Sequence, residues 1–194
     1  MQLIPFTRAL VDIESITGNE GNIGHFLLQQ LRDRGYDARR VVAEGERANI
    51  YAVPPQDSHP ALVFSTHMDT VPPFIPSSED EHNIYGRGAC DAKGIIAAQI
   101  AAAERLKTQG IAAGLLFLVG EERDSLGAKV ANLQLNACRF LVNGEPTENR
   151  VAVASKGALR VELTASGRMA WGIARAVTMR RMPWRQDRRC FSGS

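Results

Sequence analysis

The sequence predicts an α/β domain of three layers, a mostly parallel central sheet with helices on both faces. Three observations carry this. Segments of helical and strand periodicity alternate through residues 1–168. Two continuous apolar runs, Ala61–Ser65 and Gly114–Gly120, have the character of strands buried on both faces. Histidine and carboxylate residues then follow the ends of the predicted strands, where open α/β sheets bind their ligands.

In chain order, Leu3–Ile13 has mixed amphipathic character and reads as a short helix, and Thr17-Gly18-Asn19-Glu20 as a turn with capping residues. Gly21–Gly35 places Ile23, Phe26, Leu27 and Leu31 near helical spacing and stops at a glycine. Ala38–Ala43 and Ala48–Val53 read as strands, followed by Ala61–Ser65. Pro72–Gly88, with its Pro, Ser, Asp and Gly, reads as loop. The Ala-rich Ala92–Thr108 is a helix ending at Gly110, and Gly114–Gly120 a second buried strand. Ser125–Leu135 is a helix with Ser125 as its N-cap. Arg139–Asn143 and Val151–Ser155 are short strands. Ala158–Ala165 alternates and reads as a strand with one wet face. No internal repeat is found.

The bulk composition narrows the class. A chain of 194 residues holds one domain with a real core, or one domain plus a fragment. Its 44% hydrophobic and 23% charged residues are those of an ordinary soluble protein. No apolar run reaches the roughly 18–20 residues of a membrane span. The N-terminus lacks a basic region followed by an apolar one, so no signal peptide is expected. Three widely spaced cysteines (Cys90, Cys138, Cys190) do not form a disulfide framework and point to a reducing cytoplasm.

The chemistry gathers at strand ends. His67 and Asp69 follow the first buried run, Glu121 and Glu122 the second, and Glu145 follows Phe140–Asn143. Asp91 stands between a Gly-rich loop and the Ala-rich helix. Each has an ordinary reading alone: a surface pair, a solvated helix start, an N-cap, a turn. Together they bring one histidine and five carboxylates to one edge of the sheet. So many like charges would repel strongly, and some would take up protons, unless one or two divalent cations sat among them. One imidazole with several oxygen ligands suits zinc, with manganese or cobalt as substitutes. His25, His59 and His82 are given no role.

The segments STHMDTVP (65–72), YGRGACDAKG (85–94), GEERDSLGA (120–128) and GEPT (144–147) resemble, in order and spacing, the dinuclear-zinc peptidases and deacylases. That family includes acetylornithine deacetylase, succinyl-diaminopimelate desuccinylase, aminoacylase and glutamate carboxypeptidase. The resemblance implies a zinc-peptidase-like catalytic domain and two Zn2+ per complete site. His67, Asp91 and Glu145 would hold one metal, and Asp91, bridging, and Glu122 the other. Asp69 would fix the tautomer of His67, and Glu121 would be the general base. The implied reaction is cleavage of an amide bond in an N-acyl amino acid or small peptide by a zinc-bridged hydroxide. Members are implied to dimerise through an inserted α+β lid, with neither nucleic acid nor membrane as partner.

By the same resemblance, residues 1–155 are the N-terminal part of the catalytic domain and 156–168 the first strand of the lid. After Gly167 the resemblance is expected to stop. Residues 169–194 hold six arginines against one aspartate, a net +5 that leaves −3 for residues 1–168. Shifted by one base, the codons around Gly172 can read G-x-G-H-S, the histidine beginning at the third base of Gly172, and those near Met182 N-A-[LMV], as in the family segment. The basic tail is therefore expected to be out-of-frame translation, aberrant and unstructured, rather than a nucleic-acid arm. A chain without the family's last histidine and most of its lid is expected to be inactive or weakly active. The alternative function is an inactive remnant that keeps the fold and at most partial zinc binding.

Overall fold

In chain order the elements are α1 (Leu3–Val11), α2 (Gly21–Asp33), β1 (Asp37–Glu44), β2 (Arg47–Val53), β3 (Leu62–His67), β4 (Ser78–Glu79), β5 (Ile84–Tyr85), α3 (Lys93–Thr108), β6 (Ala113–Leu118), α4 (Leu126–Gln134) and β7 (Phe140–Asn143). They come from a computed structural model that describes residues 2–134 and 138–154, all but the last of which belong to one compact unit running to Val153.

The five long strands form one sheet in the order β1-β2-β6-β3-β7. β6, β3 and β7 are mutually parallel, and β2 is antiparallel to both β6 and β1. β1 therefore runs with the other three, and β2 alone is reversed. The sheet is mostly parallel, as the apolar runs predicted: β3 and β6 are each buried along most of their length.

Period-two alternation sends successive side chains to opposite faces, and the two faces are unequally covered. On one, Ile50, Leu115 and Phe117 pack with Phe6 and Leu10 of α1, Ile23, Leu27 and Leu31 of α2, and Ile96 and Ile100 of α3. The i, i+4 spacing of Ile23, Leu27 and Leu31 is what turns one stripe of α2 inward. On the other, Val63, Leu116, Tyr51 and Leu118 meet Ala131 of α4. The three layers are thus α1–α3, the sheet, and α4. β7 stands at the sheet edge, where Phe140, Leu141 and Val142 remain about half exposed.

Register positions the functional loops. His67 lies opposite Leu118, and Ser65 opposite Asn143. The carboxyl ends of β3, β6 and β7 therefore lie close together. Two residues beyond the Ser65–Asn143 pair, His67 and Glu145 come level, and Glu121 follows Leu118 by three.

Several expectations are corrected. Val151–Ala154 has no strand structure and is exposed: among the described residues, no strand pairs with it; Ser155 lies outside the described residues. Ser125 is not a conventional N-cap: its φ is +54°, and the Leu126 N–H donates instead to the Asp124 carboxylate at 3.0 Å. The predicted loop Pro72–Gly88 contains the small β4–β5 ribbon, which Asp80 nucleates by accepting from the N–H groups of His82 and Asn83 and from the Tyr85 hydroxyl. The strand expected at Ala61–Ser65 runs from Leu62 to His67, so His67 is its last residue. Leu135, the lid strand at 158–165 and the tail from 169 lie outside the described residues.

Candidate functional site

His67 is 1% exposed at the end of β3, and its two ring nitrogens have different partners. Nδ1 lies 2.9 Å from the backbone carbonyl of Asp69. A carbonyl can only accept, so Nδ1 carries the proton. Nε2 faces the other acids, 2.8 Å from Asp91 Oδ1 and 3.9 Å from Glu145 Oε2. Donor atoms of His67, Asp91 and Glu122 all lie within 4.8 Å of one another. Asp91 reaches this point from the loop before α3, Glu122 from the loop after β6, and Glu145 from the turn after β7.

Asp69 does something the sequence did not suggest. Its carboxylate Oδ1 is 3.5 Å from His67 Nδ1, farther than its own carbonyl, so the carbonyl is the closer tautomer-setting contact. The carboxylate, fully buried, also accepts from the Glu121 N–H (3.0 Å), the Glu122 N–H (3.2 Å) and the Thr17 hydroxyl (2.8 Å). It ties the loop bearing both glutamates to the end of β3 and to the first turn of the chain.

The electrostatics are those of crowded acids around one imidazole. Burial raises the Glu122 carboxyl, and the charges of Asp91, Glu121 and Asp69 add to this, with His67 opposing. Burial likewise raises Glu145, opposed by His67 and reinforced by Glu121 and Asp91. Burial alone would push His67 down, but Asp69 and Asp91, with Glu145 beyond them, outweigh it and carry it to about 10. These shifts all relieve a surplus of negative charge, which a divalent cation would relieve more directly.

The donor set fits such an ion. It has one imidazole nitrogen with its partner nitrogen protonated and held, as in metal-ligating histidines, and several carboxylate oxygens of the kind zinc, cobalt and manganese accept. A cleft of about 950 Å³ opens on the α4 side of the sheet, with His67, Glu121 and Glu145 at its polar end and Val63, Leu116 and Leu141 along its apolar floor.

The site contains residues that sequence reasoning missed. Lys93 is completely buried, and its Nζ donates to the Ile13 carbonyl at 2.5 Å. Burial lowers it to about 8, with Asp12 and Glu14 opposing. Its aliphatic stem passes so close to Gly88 (φ +90°) that a methyl group there would sit 2.9 Å from Lys93 Cδ. This explains two members of the GRGACDAKG stretch: Lys93 pins the Asp91 loop to the segment just after α1, and Gly88 leaves it room. A lysine inside an otherwise apolar helix start was the available signal. Thr17, named only as part of a turn, carried none.

Residues 63–182 match the description of peptidase family M20/M25/M40. The chain belongs to that family. The match runs beyond Gly167, past where the sequence alone placed the end of the resemblance. A peptidase M20 domain-containing protein of Schizosaccharomyces pombe is 40% identical over 174 residues, covering 86% of this chain and 44% of that protein. A probable carboxypeptidase of Talaromyces marneffei is 38% identical over 198 residues, covering 87% and 44%. Among solved structures, a tripeptidase of Staphylococcus aureus superposes with a TM-score of 0.61 at 28% identity, over 73% of this chain and 42% of that one. The chain thus spans less than half the length of the relatives it matches. Among the described residues, no helix is long and apolar enough to cross a membrane.

A pH prediction follows for this M20 member. The raised His67 stabilises the metal-free fold fully below its ordinary 6.5, and that contribution is lost as pH climbs through about 10. Were His67 a ligand, as the resemblance implies, metal binding would displace that proton. Titration calorimetry in buffers of different ionisation enthalpy should therefore show about one proton released from His67 at neutral pH. Affinity should rise about tenfold per pH unit below 10. Affinity independent of pH would show that His67 is not a ligand.

Proposed function

We propose that this chain carries the catalytic machinery of a metal-dependent hydrolase that cleaves the amide bond of an N-acyl amino acid or a small peptide with a free carboxylate. The observation that carries the reading is the convergence of His67 Nε2 with Asp91 and Glu122 where β3 and β6 end, beside Glu145, the His67 Nδ1 proton being held elsewhere. His67, Asp91 and Glu145 would hold one ion, and Asp91 and Glu122 a second, with zinc as the expected metal. Such ions supply Lewis-acid polarisation of the scissile carbonyl and make water a better nucleophile at neutral pH.

The chain's own residues do the rest. Glu121, whose N–H is fixed by Asp69 while its carboxylate borders the cleft, takes a proton from the attacking water and returns it to the leaving amine. His67 is kept in the tautomer with Nε2 free. Asp69 holds the base and its neighbour Glu122 in one frame. The names of the relatives, a probable carboxypeptidase and a tripeptidase, favour peptide-like substrates.

The test loads the chain with Zn2+ or Co2+ and assays it against N-acetyl amino acids and di- and tripeptides. Glu121→Gln should lower kcat about 10²–10⁴-fold with metal affinity unchanged. Undiminished turnover in that variant would remove Glu121 as base. Tight metal binding without turnover on any substrate would favour the remnant that keeps the fold and the ions.

A further inference from the structure

Asn49 is the polar residue in the middle of β2, completely buried on the α4 side of the sheet. A buried amide is costly unless both its ends are satisfied. Here Oδ1 accepts the Val119 N–H at 3.1 Å, and Nδ2 donates to the Gly127 carbonyl at 2.8 Å. Val119 and Gly127 are the two ends of the loop that carries Glu121 and Glu122. The Gly127 N–H also donates to the Val119 carbonyl at 2.9 Å, so the loop base is closed once by backbone and twice by Asn49. There is no slack in this arrangement: a methyl group on Gly127 would collide with Asn49 Oδ1 and with the Val119 backbone. Two residues upstream on the same face of β2, Arg47 packs its guanidinium against Gly120 while held by both carboxylate oxygens of the buried Glu20 at 2.8 Å.

We propose that Asn49 is a positioning residue for the Glu121–Glu122 loop: it clamps the loop base from β2, opposite the Asp69 carboxylate that holds the loop's front. The chemistry selects this side chain. Asparagine alone, at this length, offers one donor and one acceptor to two backbone groups of opposite kind. Aspartate would set an oxygen against the Gly127 carbonyl, and leucine would leave both groups unpaired. The functional consequence rests on Glu122 being a metal ligand, as proposed above. Asn49 would then set how tightly the ion is held, although it never touches it.

The experiment is a double-mutant cycle on the full chain, read by Co2+ titration through the visible ligand-field bands. Asn49→Ala should weaken Co2+ binding about 10–100-fold and alter the band shape, the usual effect of losing an outer partner of a ligand. Glu122→Gln should weaken it at least as much. Adding Asn49→Ala to Glu122→Gln should cost nothing further, because the residue being positioned is already gone. Equal weakening in both backgrounds would mark Asn49 as a general fold residue and overturn the proposal. So would wild-type affinity and spectrum in a folded Asn49→Ala. If Glu122→Gln alone is silent, the ligand reading of Glu122 falls and takes this proposal with it, an outcome distinct from a silent Asn49→Ala beside an effective Glu122→Gln. If Asn49→Ala does not fold, Asn49→Asp, of equal size with one of the two bonds kept, takes its place in the cycle. In the unsubstituted chain, the Val119 amide should exchange with solvent far more slowly than those of Val151–Ala154. Equal rates would show that the clamp is not made, and overturn the proposal without any variant.

Discussion

Asp91→Asn should abolish tight divalent metal binding while leaving the fold standing. Asp91 is the acid closest to Nε2 of His67, at 2.8 Å, and its donor atom lies within 4.8 Å of those of both His67 and Glu122. In the proposed site it alone serves both ions. An amide keeps its size but offers one weak oxygen and one repelling NH2. The loss in affinity should exceed the roughly 100-fold typical of removing an outer partner. The fold should survive because the Asp91 side chain is 49% exposed and leaves no cavity. Its charge raises Glu122 and Glu145 but also helps hold the proton on His67, so neutralising it relieves repulsion and loses an ion pair together, and the two effects offset in the metal-free state. We expect the thermal midpoint without metal to stay within about 4 °C, the shift that about 1 kcal/mol produces at this size. Calorimetric titration and a circular dichroism melt measure both quantities. Near wild-type affinity would mean that Asp91 does not bridge.

Asp69→Ala should be the costlier change for the fold itself. It leaves the N–H groups of Glu121 and Glu122 and the Thr17 hydroxyl without their acceptor, around a position with no exposure. Each unpaired buried group costs about 1–3 kcal/mol, less where water enters, so we expect about 3–5 kcal/mol in all. Asp69→Asn, which keeps one carbonyl acceptor, should fall between. The sign of the pH effect discriminates further. Burial would raise Asp69, but His67, Thr17 and the Glu121 N–H together hold it below its ordinary 3.8. Its stabilisation is therefore present above that value and is lost as pH falls through the lower folded one. Denaturant unfolding from pH 6 to pH 2 should show an acid limb in the metal-free protein that Asp69→Asn flattens. An unchanged acid limb would show that the carboxylate is not what holds the loop.

Where each element starts and stops depended on information of different reach. The interiors of α2, α3, β2, β3 and β6 were legible because periodicity is local: three leucine or isoleucine residues four apart define a helix face whatever packs on it. The apolar runs at β3 and β6 were legible as buried strands for the same reason. Val151–Ala154 failed as a strand because a short apolar stretch becomes β structure only where its backbone is paired, and among the described residues no strand pairs with it. Ser125 failed as a cap because its backbone is turned left-handed by the tight Val119–Gly127 closure, which nothing adjacent in sequence encodes.

For the site, residue types and their places at strand ends were carried by the sequence itself. An acid or histidine just beyond a strand of a parallel sheet projects toward the common carboxyl edge, which singled out His67, Asp69, Glu121, Glu122 and Glu145 as candidates, while Asp91 was singled out by its place between a Gly-rich loop and the Ala-rich helix. Only the tertiary structure could decide what holds them. Asn49 meets its two partners across 70 and 78 residues, Lys93 its carbonyl across 80, and Thr17 the Asp69 carboxylate across 52. Each is a single polar side chain whose meaning lies in a distant backbone group. A hydrogen bond is satisfied by direction and distance in space, while the sequence records only which donors and acceptors exist. The sequence therefore determined the chemistry assembled at the sheet edge. The fold determined the geometry, because burial left each of those polar groups no partner but the one brought to it.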